Sequence, residues 1–532
     1  MQNQTQKQIL SHATIIATFT VLSKILGLLR DRFLASEFGA GPVLDAYYAA
    51  FRVPDFIFNL LVLGTVSAAF VPVFLSYVSK KQLRTAFEIA NSVLNSIVVV
   101  MVVLAGIALV FTEPLINIIA PGFDDPEIID LAVRYMRWML LSPIIFGISS
   151  VLSGILNAYR KFIAYSLAPV LYNLGIIIGI VALVPFYGPI ALAYGVVIGA
   201  VLHLLVQIPS TFRVGYRWRP SLKIKSPGFQ KVIRLMIPRM VGFAALQLSL
   251  VVTVAIATTL DTGSTTVYNL ALNLQYFPIT IFGISIATAV FPVLAMAASK
   301  QDFKSFRENF SLSFRKILFF IIPASIMMLI LRAHIVRIVL GTGAFDWEDT
   351  ILTLETLGFF TLSLFAQALI PLLTRTFYAI QNTKIPVAVG VTSMIMNIIL
   401  SFTLAPIMGV SGLALAFTIA SIFNAVVLLM VLRHKVGNLN DQEITSSAFK
   451  TIIAALLMGL VMSPRFGLLK IADSFLDTHT YLGITFQATI AIVGGIVIYL
   501  LLQKLLKNPE LDIYMDILSS RKKKKDGHKS NT

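Results

Sequence analysis

Four ionisable side chains, Lys24, Arg30, Asp31 and Arg32, sit within an otherwise apolar run from Ala13 to Leu34. Charge inside a membrane-length segment is costly, and by default it marks a polar cavity or a pathway. At 3.6 residues per turn Lys24, Gly27 and Asp31 share one helix face, and Ser23, Gly27 and Arg30 share the face beside it. Gly27 therefore leaves a notch between a lysine and an arginine, with room for an anionic head group. Arg32, near the end of its helix, is equally well explained as a side chain snorkelling to the interface. The chain turns at Phe38-Gly39-Ala40-Gly41-Pro42 and re-enters an apolar stretch through Asp45 and Arg52. That stretch ends at Ser67-Ala68-Ala69-Phe70-Val71-Pro72.

Other chemistries find no support. There is no Gly-Lys-Ser/Thr phosphate loop and no His-Glu-x-x-His, and the six histidines are scattered. No nucleophile or acid–base set converges, so no enzymatic role is expected, and no cofactor or metal. Asp124, Asp125 and Glu127 form an acidic cluster, read as a solvated loop capping the next helix rather than as a cation site. The chain has no cysteine, which excludes disulfides and thiolate metal sites.

The elements that must position the charges are membrane helices. Of 532 residues 57% are hydrophobic and 13% charged, against about 25% charged in soluble domains, and the mean hydropathy is +0.86. The apolar segment from Ala13 follows a polar start with no cleavage signature, and reads as a retained span. At about 20 apolar residues per span, fourteen candidate helices emerge, at 13–34, 44–76, 85–112, 127–158, 163–184, 188–210, 231–260, 266–298, 311–332, 350–380, 385–405, 411–432, 446–464 and 481–503. Loops 35–43, 113–126, 185–187, 261–265 and 406–410 contain no Lys or Arg. Loops on the other side carry Lys80, Lys81 and Arg84; Arg160 and Lys161; Arg213, Arg217, Arg219, Lys223 and Lys225; Lys300, Lys304 and Arg307; Lys384; Arg433 and Lys435. Two loops expected on the outer side dissent mildly, with Arg332 and Arg337 in one and Arg465 and Lys470 in the other. The positive-inside rule puts both termini in the cytoplasm. It also assigns the net charge of +17 and the tail Arg521-Lys522-Lys523-Lys524-Lys525 to anionic membrane lipid, not to nucleic acid.

The chain also repeats itself. Ala69-Phe70-Val71-Pro72-Val73 corresponds to Ala289-Val290-Phe291-Pro292-Val293 at an offset of 220 (292 − 72). Ala158 corresponds to Ala379 at 221 (379 − 158), and Pro54 to Pro278 at 224 (278 − 54). Six spans repeat as six in the same orientation, an arrangement used by transporters with a substrate site between the halves. The expected organisation is an N-terminal lobe 1–220, a C-terminal lobe 221–437, an added helix pair 438–507 and a basic tail 508–532. Pro54 and Pro278, at matched positions inside spans, are candidate hinges.

Ser23-Lys24-Ile25-Leu26-Gly27-Leu28-Leu29-Arg30-Asp31, Phe38-Gly39-Ala40-Gly41, Asp45-Ala46, Ala50-Phe51-Arg52-Val53-Pro54 and Ala69-Phe70-Val71-Pro72 resemble the MurJ (MviN) lipid II flippases of the MOP exporter superfamily. Ala120-Pro121-Gly122-Phe123, Leu156-Asn157-Ala158, Ala168-Pro169 with Asn173, and Phe377-Tyr378-Ala379 followed by Lys384-x-Pro386 add to the resemblance, which spans roughly residues 13 to 435. It implies an all-α, V-shaped transporter of fourteen helices in two lobes. A cationic cavity would open alternately inward and outward, and the last two helices would form an apolar groove for the lipid tail. Arg30, Asp31 and Asp45 match functional family positions, and Lys24 stands where the family commonly has arginine. Three family charges are absent: arginines fall at Phe58 and Asn273, and a glutamate at Leu63.

The expected function is therefore to flip a lipid-linked anionic glycan precursor, lipid II, across the bacterial cytoplasmic membrane. The substrate would meet Lys24, Arg30, Asp31, Arg52 and Asn273, with Gln247, Asn269 and Gln275 available to sugar or peptide. Asp45, Gly27, Pro54 and Pro278 would serve the gate. The competing expectations are a flippase for another polysaccharide-lipid, a drug exporter of the same superfamily, and a scaffold that recruits cell-wall synthesis proteins.

Overall fold

The computed structural model describes residues 2–63, 69–465, 467–477 and 480–511, with side chains from residue 15 onward except at a few positions in two helices. Ser67 and Ala68, the side chain of Leu63, and the basic run 521–525 lie outside the described residues. The regular structure among the described residues is all helical, as expected where no water is available to satisfy open backbone.

In chain order the first helices are α1 (Gln2–Phe38), α2 (Pro42–Ala50), α3 (Arg52–Phe58), α4 (Val71–Ser79), α5 (Leu83–Val110), α6 (Thr112–Ile119), α7 (Pro126–Met139) and α8 (Leu141–Ala158). There follow α9 (Phe162–Ile178), α10 (Val184–Tyr187), α11 (Ala191–Leu205), α12 (Ile208–Arg213), α13 (Pro227–Thr258), α14 (Ser264–Pro278), α15 (Ser285–Ser299) and α16 (Phe303–Ile330). The last are α17 (Arg332–Val339), α18 (Trp347–Thr361), α19 (Leu364–Ala379), α20 (Lys384–Met408), α21 (Val410–Val436), α22 (Asp441–Met462), α23 (Leu468–Asp473) and α24 (Tyr481–Leu505). Each of the fourteen apolar runs falls on one of these helices or on a broken succession of them. Among the described residues nine helices are long and apolar enough to cross a membrane, or ten if the pair α18–α19, bent by 48°, counts as one. The acidic cluster behaves as a cap: Asp125 Oδ1 accepts from Glu127 N at 2.9 Å and starts α7.

The repeat is written into the turns. Lys81, Arg160, Gln301 and Gln381 all take left-handed backbone, with φ of 57–60°. After α4, Lys81 N donates to Val78 O and Gln82 N to Tyr77 O; after α15, Gln301 N donates to Ala298 O and Asp302 N to Ala297 O. The same paired bonds close α8, through Arg160 and Lys161, and α19, through Gln381 and Asn382. These are Schellman endings, which satisfy the last carbonyls of a helix. Their offsets are 220 (301 − 81) and 221 (381 − 160), the values read from the sequence landmarks. A wide π-type turn follows the proline in each matched span, at Asn59–Leu63 after Pro54 and at Ile279–Ile284 after Pro278, again offset by 220 (279 − 59).

The chain divides into two compact units. The first comprises Met1–Leu270, Val339–Asp349 and Ile398–Leu413. Its core is built around α2, in which every residue from Leu44 to Ala50 is buried. Tyr47 meets Tyr135 edge-on at 5.9 Å, and Tyr135 donates to Pro189 O at 3.0 Å. A polar bolt joins α8 to the α11–α12 stretch: Ser149 Oγ and His203 Nδ1 share a 2.7 Å hydrogen bond, Gln207 Nε2 donates to Ser149 Oγ, and Ser153 Oγ donates to Gln207 Oε1.

The second unit comprises Ala271–Ile338, Thr350–Asn397 and Ala414–Thr532. Here α16, α22 and α24 pack through Phe319, Ala454, Met458 and Tyr499, and Tyr499 donates to Phe319 O at 2.7 Å. Beyond α24 the chain is pinned by charge. Arg315 Nη1 lies 2.8 Å from Glu510 Oε1 and Arg315 Nη2 lies 3.0 Å from Glu443 Oε2. Glu510 is fully buried; burial pushes its carboxyl above the ordinary glutamate range, and Arg315 opposes that rise. Removing one partner of a buried pair strands the other charge. Arg315→Ala is therefore expected to cost about 3–5 kcal/mol, read as a lowered thermal midpoint of the detergent-solubilised protein. An unchanged midpoint would show that the pair contributes nothing.

Candidate functional site

The charged cluster is assembled on α1, α2, α3 and α9. Arg30 Nη2 and Nε both donate to Asp31 Oδ1, at 2.7 and 3.0 Å, and Arg30 Nη1 donates to Asn173 Oδ1 at 3.2 Å. Asn173 belongs to α9, and its own amide donates to Ser23 O, Ser23 Oγ and Pro169 O. Asn173 thus knits together the face of α1 that carries Ser23, Gly27 and Arg30. A Cβ on Gly27 would stand 3.8 Å from Asn173 Oδ1, so the notch expected to take a head group faces the Asn173 amide.

Arg30 keeps 21% of its side chain exposed, while Asp31 keeps 4%. Of the five N–H donors of a guanidinium, three are used by Asp31 and Asn173. The remaining two are oriented, not free to wander, because their neighbours on the same planar group are held. Such a fixed fork suits the oxygens of a phosphate. Lys24, two turns earlier and exposed, is within electrostatic reach of both Arg30 and Asp31.

Arg52, at the start of α3, donates from Nη2 to Asn269 Oδ1 on α14, and Asn269 donates in turn to Thr265 O. The Arg52 Nε is buried without a hydrogen-bond partner. Asp55, one turn along α3, lies within electrostatic reach of Arg52 and Arg30. Asp55 was not singled out in the sequence; the i, i+3 spacing from Arg52 is the signal that could have found it. Lys24, Arg30 and Arg52 against Asp31 and Asp55 leave a formal surplus of one positive charge.

The remaining expected residues lie apart or in other roles. Asn273 is half-buried on α14, one turn beyond Asn269 and within the second unit. Gln275 is fully buried and accepts from Gln367 Nε2 at 3.0 Å, an interhelical contact. Phe58, at the position of a family arginine, packs on Phe146 with ring centroids 5.0 Å apart. Pro54 is buried within α3 and Pro278 closes α14.

Asp45 forms a latch. It is 5% exposed. Its Oδ2 accepts from Gly263 N at 2.7 Å, and its Oδ1 accepts from Thr266 N at 2.8 Å and Thr266 Oγ1 at 2.7 Å. The carboxylate therefore caps the N-terminus of α14, where unpaired amides and the helix dipole favour a negative charge. Neighbouring backbone closes the same latch: Ala344 N donates to Ser36 O at 2.8 Å, and Ala40 N to Asp349 Oδ2 at 2.8 Å. Glycine is required at two of these approaches. Gly263 (φ +90°) would put a Cβ 2.2 Å from Ala40 O, and Gly343 (φ +63°) would put one 2.2 Å from Ser36 O.

The sequence profile of the family described as lipid II flippase MurJ matches residues 34–507. A probable lipid II flippase MurJ from Thermotoga maritima is 29% identical over 498 residues, which are 93% of this chain and 96% of the relative. A lipid II flippase MurJ from Burkholderia cenocepacia is 27% identical over 427 residues, 79% of this chain and 83% of the relative. Among solved structures, a lipid II flippase MurJ in an inward closed conformation is similar at a TM-score of 0.77 and 26% identity, over 93% of this chain and 99% of that one. An inward-facing multidrug resistance MATE family transporter of the MOP superfamily is similar in fold, at a TM-score of 0.65 and 16% identity, over 81% of this chain and 99% of that one.

Asp45→Ala leaves two backbone amides and a hydroxyl without their acceptor, which is expected to cost the latch about 1–3 kcal/mol for each buried donor left unpaired. Hydrogen exchange at residues 263–266 should accelerate accordingly. Exchange as slow as in the parent protein would remove Asp45 from the latch.

Proposed function

We propose, from the premise that the chain belongs to the lipid II flippase MurJ family, that it moves lipid II from the inner to the outer leaflet of the bacterial cytoplasmic membrane. Both termini then lie in the cytoplasm, on the side of the Lys- and Arg-rich loops. The protein is a multi-pass membrane carrier, and its work is binding and release without covalent chemistry. The halves 1–220 and 221–437 act as the two lobes of an alternating-access cycle.

The observation that carries this reading is Arg30, locked by Asp31 and Asn173 with two donors still unspent. Lys24 supplies a second, mobile cation beside it, and Arg52 a third whose Nε has no partner. A pyrophosphate needs converging cations, and charge-assisted bonds to a held guanidinium are the strong kind. Asp31 positions Arg30. Asn269 holds Arg52 from α14. The Asp45 latch would serve as the outer gate, and the wide turns after Pro54 and Pro278 would be the places where matched spans bend.

The tail of the substrate has a fitting surface in the second unit. A groove of about 410 Å³ runs between α16, α19, α21 and α22, lined by Leu318, Ile322, Leu329, Phe365, Val426 and Ile452. It suits a polyprenyl chain while the head group is held elsewhere.

The test is complementation in a bacterium depleted of its own lipid II flippase, with lipid II assayed on each membrane face. The parent chain should restore growth and bring lipid II to the outer face. Arg30→Ala, inserted at parental abundance, should not; the loss of its bonds corresponds to about 1.5–3 kcal/mol, on the order of tenfold to a hundredfold in lipid II affinity. Normal transport by Arg30→Ala would overturn the site. Growth supported by the triple variant Lys24→Ala, Arg30→Ala, Asp31→Ala would instead indicate a scaffold.

A further inference from the structure

The segment between α12 and α13, residues 214–226, has no helix of its own, yet it is fastened to α5 along its length. Tyr216 donates its hydroxyl to Asn91 Oδ1 at 2.7 Å, Arg219 N donates to the same oxygen, and Asn91 Nδ2 donates to Arg217 O. One turn on, Asn95 Nδ2 donates to Arg219 O and Ser221 O, and its Oδ1 accepts from the Trp218 indole at 2.9 Å. Lys223 N donates to Ser92 Oγ at 3.0 Å, and the Lys223 ammonium pairs with Glu88 at 2.8 Å. Glu88, Asn91, Ser92 and Asn95 follow i, i+3, i+4, i+7 and form one stripe of α5.

This strap borders a cavity of about 310 Å³ between α5, α8, α11 and α12, walled by Leu94, Val98, Leu152, Leu204 and Ile208, with Trp218 in its lining. Around it, exposed apolar and cationic side chains alternate. Phe212, Trp218, Leu222 and Ile224 expose 47–58% of their surface. Arg213, Arg217 and Arg219 are exposed beside them, and the Arg217 guanidinium stands 4.9 Å from the Phe212 ring centroid. Glu88, the carboxylate that reaches the strap, is already paired with Lys223 and Arg84. The strap thus presents net positive charge beside an apolar slot, with Trp218 in its lining.

We propose that this slot binds one anionic diacyl phospholipid of the surrounding leaflet, with an acyl chain in the cavity and the phosphate on Arg217 and Arg219. An apolar slot alone would accept any chain; the arginines select the charged head group. The site is separate from the Arg30 cluster and does not depend on the identity of the transported molecule. Its consequence is that the strap joining the two sequence repeats is braced by a lipid as well as by α5.

The full chain, extracted and exchanged into mixtures of phosphatidylglycerol and phosphatidylcholine with identical acyl chains, is examined by native mass spectrometry. The parent protein should retain one phosphatidylglycerol in preference to phosphatidylcholine. Leu152→Trp, which fills the slot, should lose it, and Val98→Trp at the mouth serves if Leu152→Trp does not fold. Arg217→Gln with Arg219→Gln should still retain a lipid while losing the preference for phosphatidylglycerol, by about fivefold per arginine. Retention unchanged by both slot-filling and arginine variants would overturn the proposal, as would an adduct with the mass of a polyprenyl lipid.

Discussion

Arg30 sits where water is scarce, and a guanidinium in such a place persists only if its donors are met. One carboxylate from the next residue and one amide from α9 meet three of the five. Much else follows from that arrangement. Asn173 holds Ser23 as well as Arg30, and so ties α9 to α1 at both residues. The pairing with Asp31 lowers the local charge surplus while two donors stay available. A site of this kind is costly without ligand and favourable with one, the condition under which a ligand can shift a conformational equilibrium.

The Asp45 latch obeys the same electrostatics with backbone in place of a guanidinium. Asp45 answers the unpaired amides at the start of α14, and it does so across 218 residues of sequence to Gly263. Backbone carbonyls at Ser36 and Ala40 approach so closely that Gly343 and Gly263 are the residue types that fit. The contacts are numerous but individually weak, about 0.5–1.5 kcal/mol for an ordinary hydrogen bond. A latch built from several such bonds can open as a unit once a differently arranged state gains comparable energy. The Arg30 site, by contrast, is preassembled and needs no such rearrangement among its own partners.

Composition and hydropathy made the helical membrane fold legible, because a bilayer leaves the backbone few alternatives. The repeat was legible too, and the structure carries it further than residue similarity does. Lys81 and Gln301, or Arg160 and Gln381, share no side-chain chemistry, yet they hold the same left-handed turn at the repeat offset. Backbone geometry at a helix ending outlasts the residue that first favoured it. What the sequence concealed was long-range partnership. Asn173 stood out only as part of a motif, and its role depends on a helix 143 residues from Arg30. The contributions of Thr266, Gly343 and Asp349 to the latch carry no local periodicity at all. Asp55 was within reach, but a carboxylate after a proline reads equally well as a turn residue.

The absent family charges acquire a physical meaning in this setting. Phe58 packs on Phe146, and the ring pair occupies volume that an extended arginine would need. Restoring arginine there would bury a charge against aromatic rings, with Asp55 one turn back already within reach of Arg52 and Arg30. The loss at Phe58 is therefore coupled to the local packing. At the proposed site a pyrophosphate would meet few cations, Lys24, Arg30 and Arg52, and would lose a larger share of its binding when one is removed. Where few donors do the holding, each must already point the right way, as the braced Arg30 does.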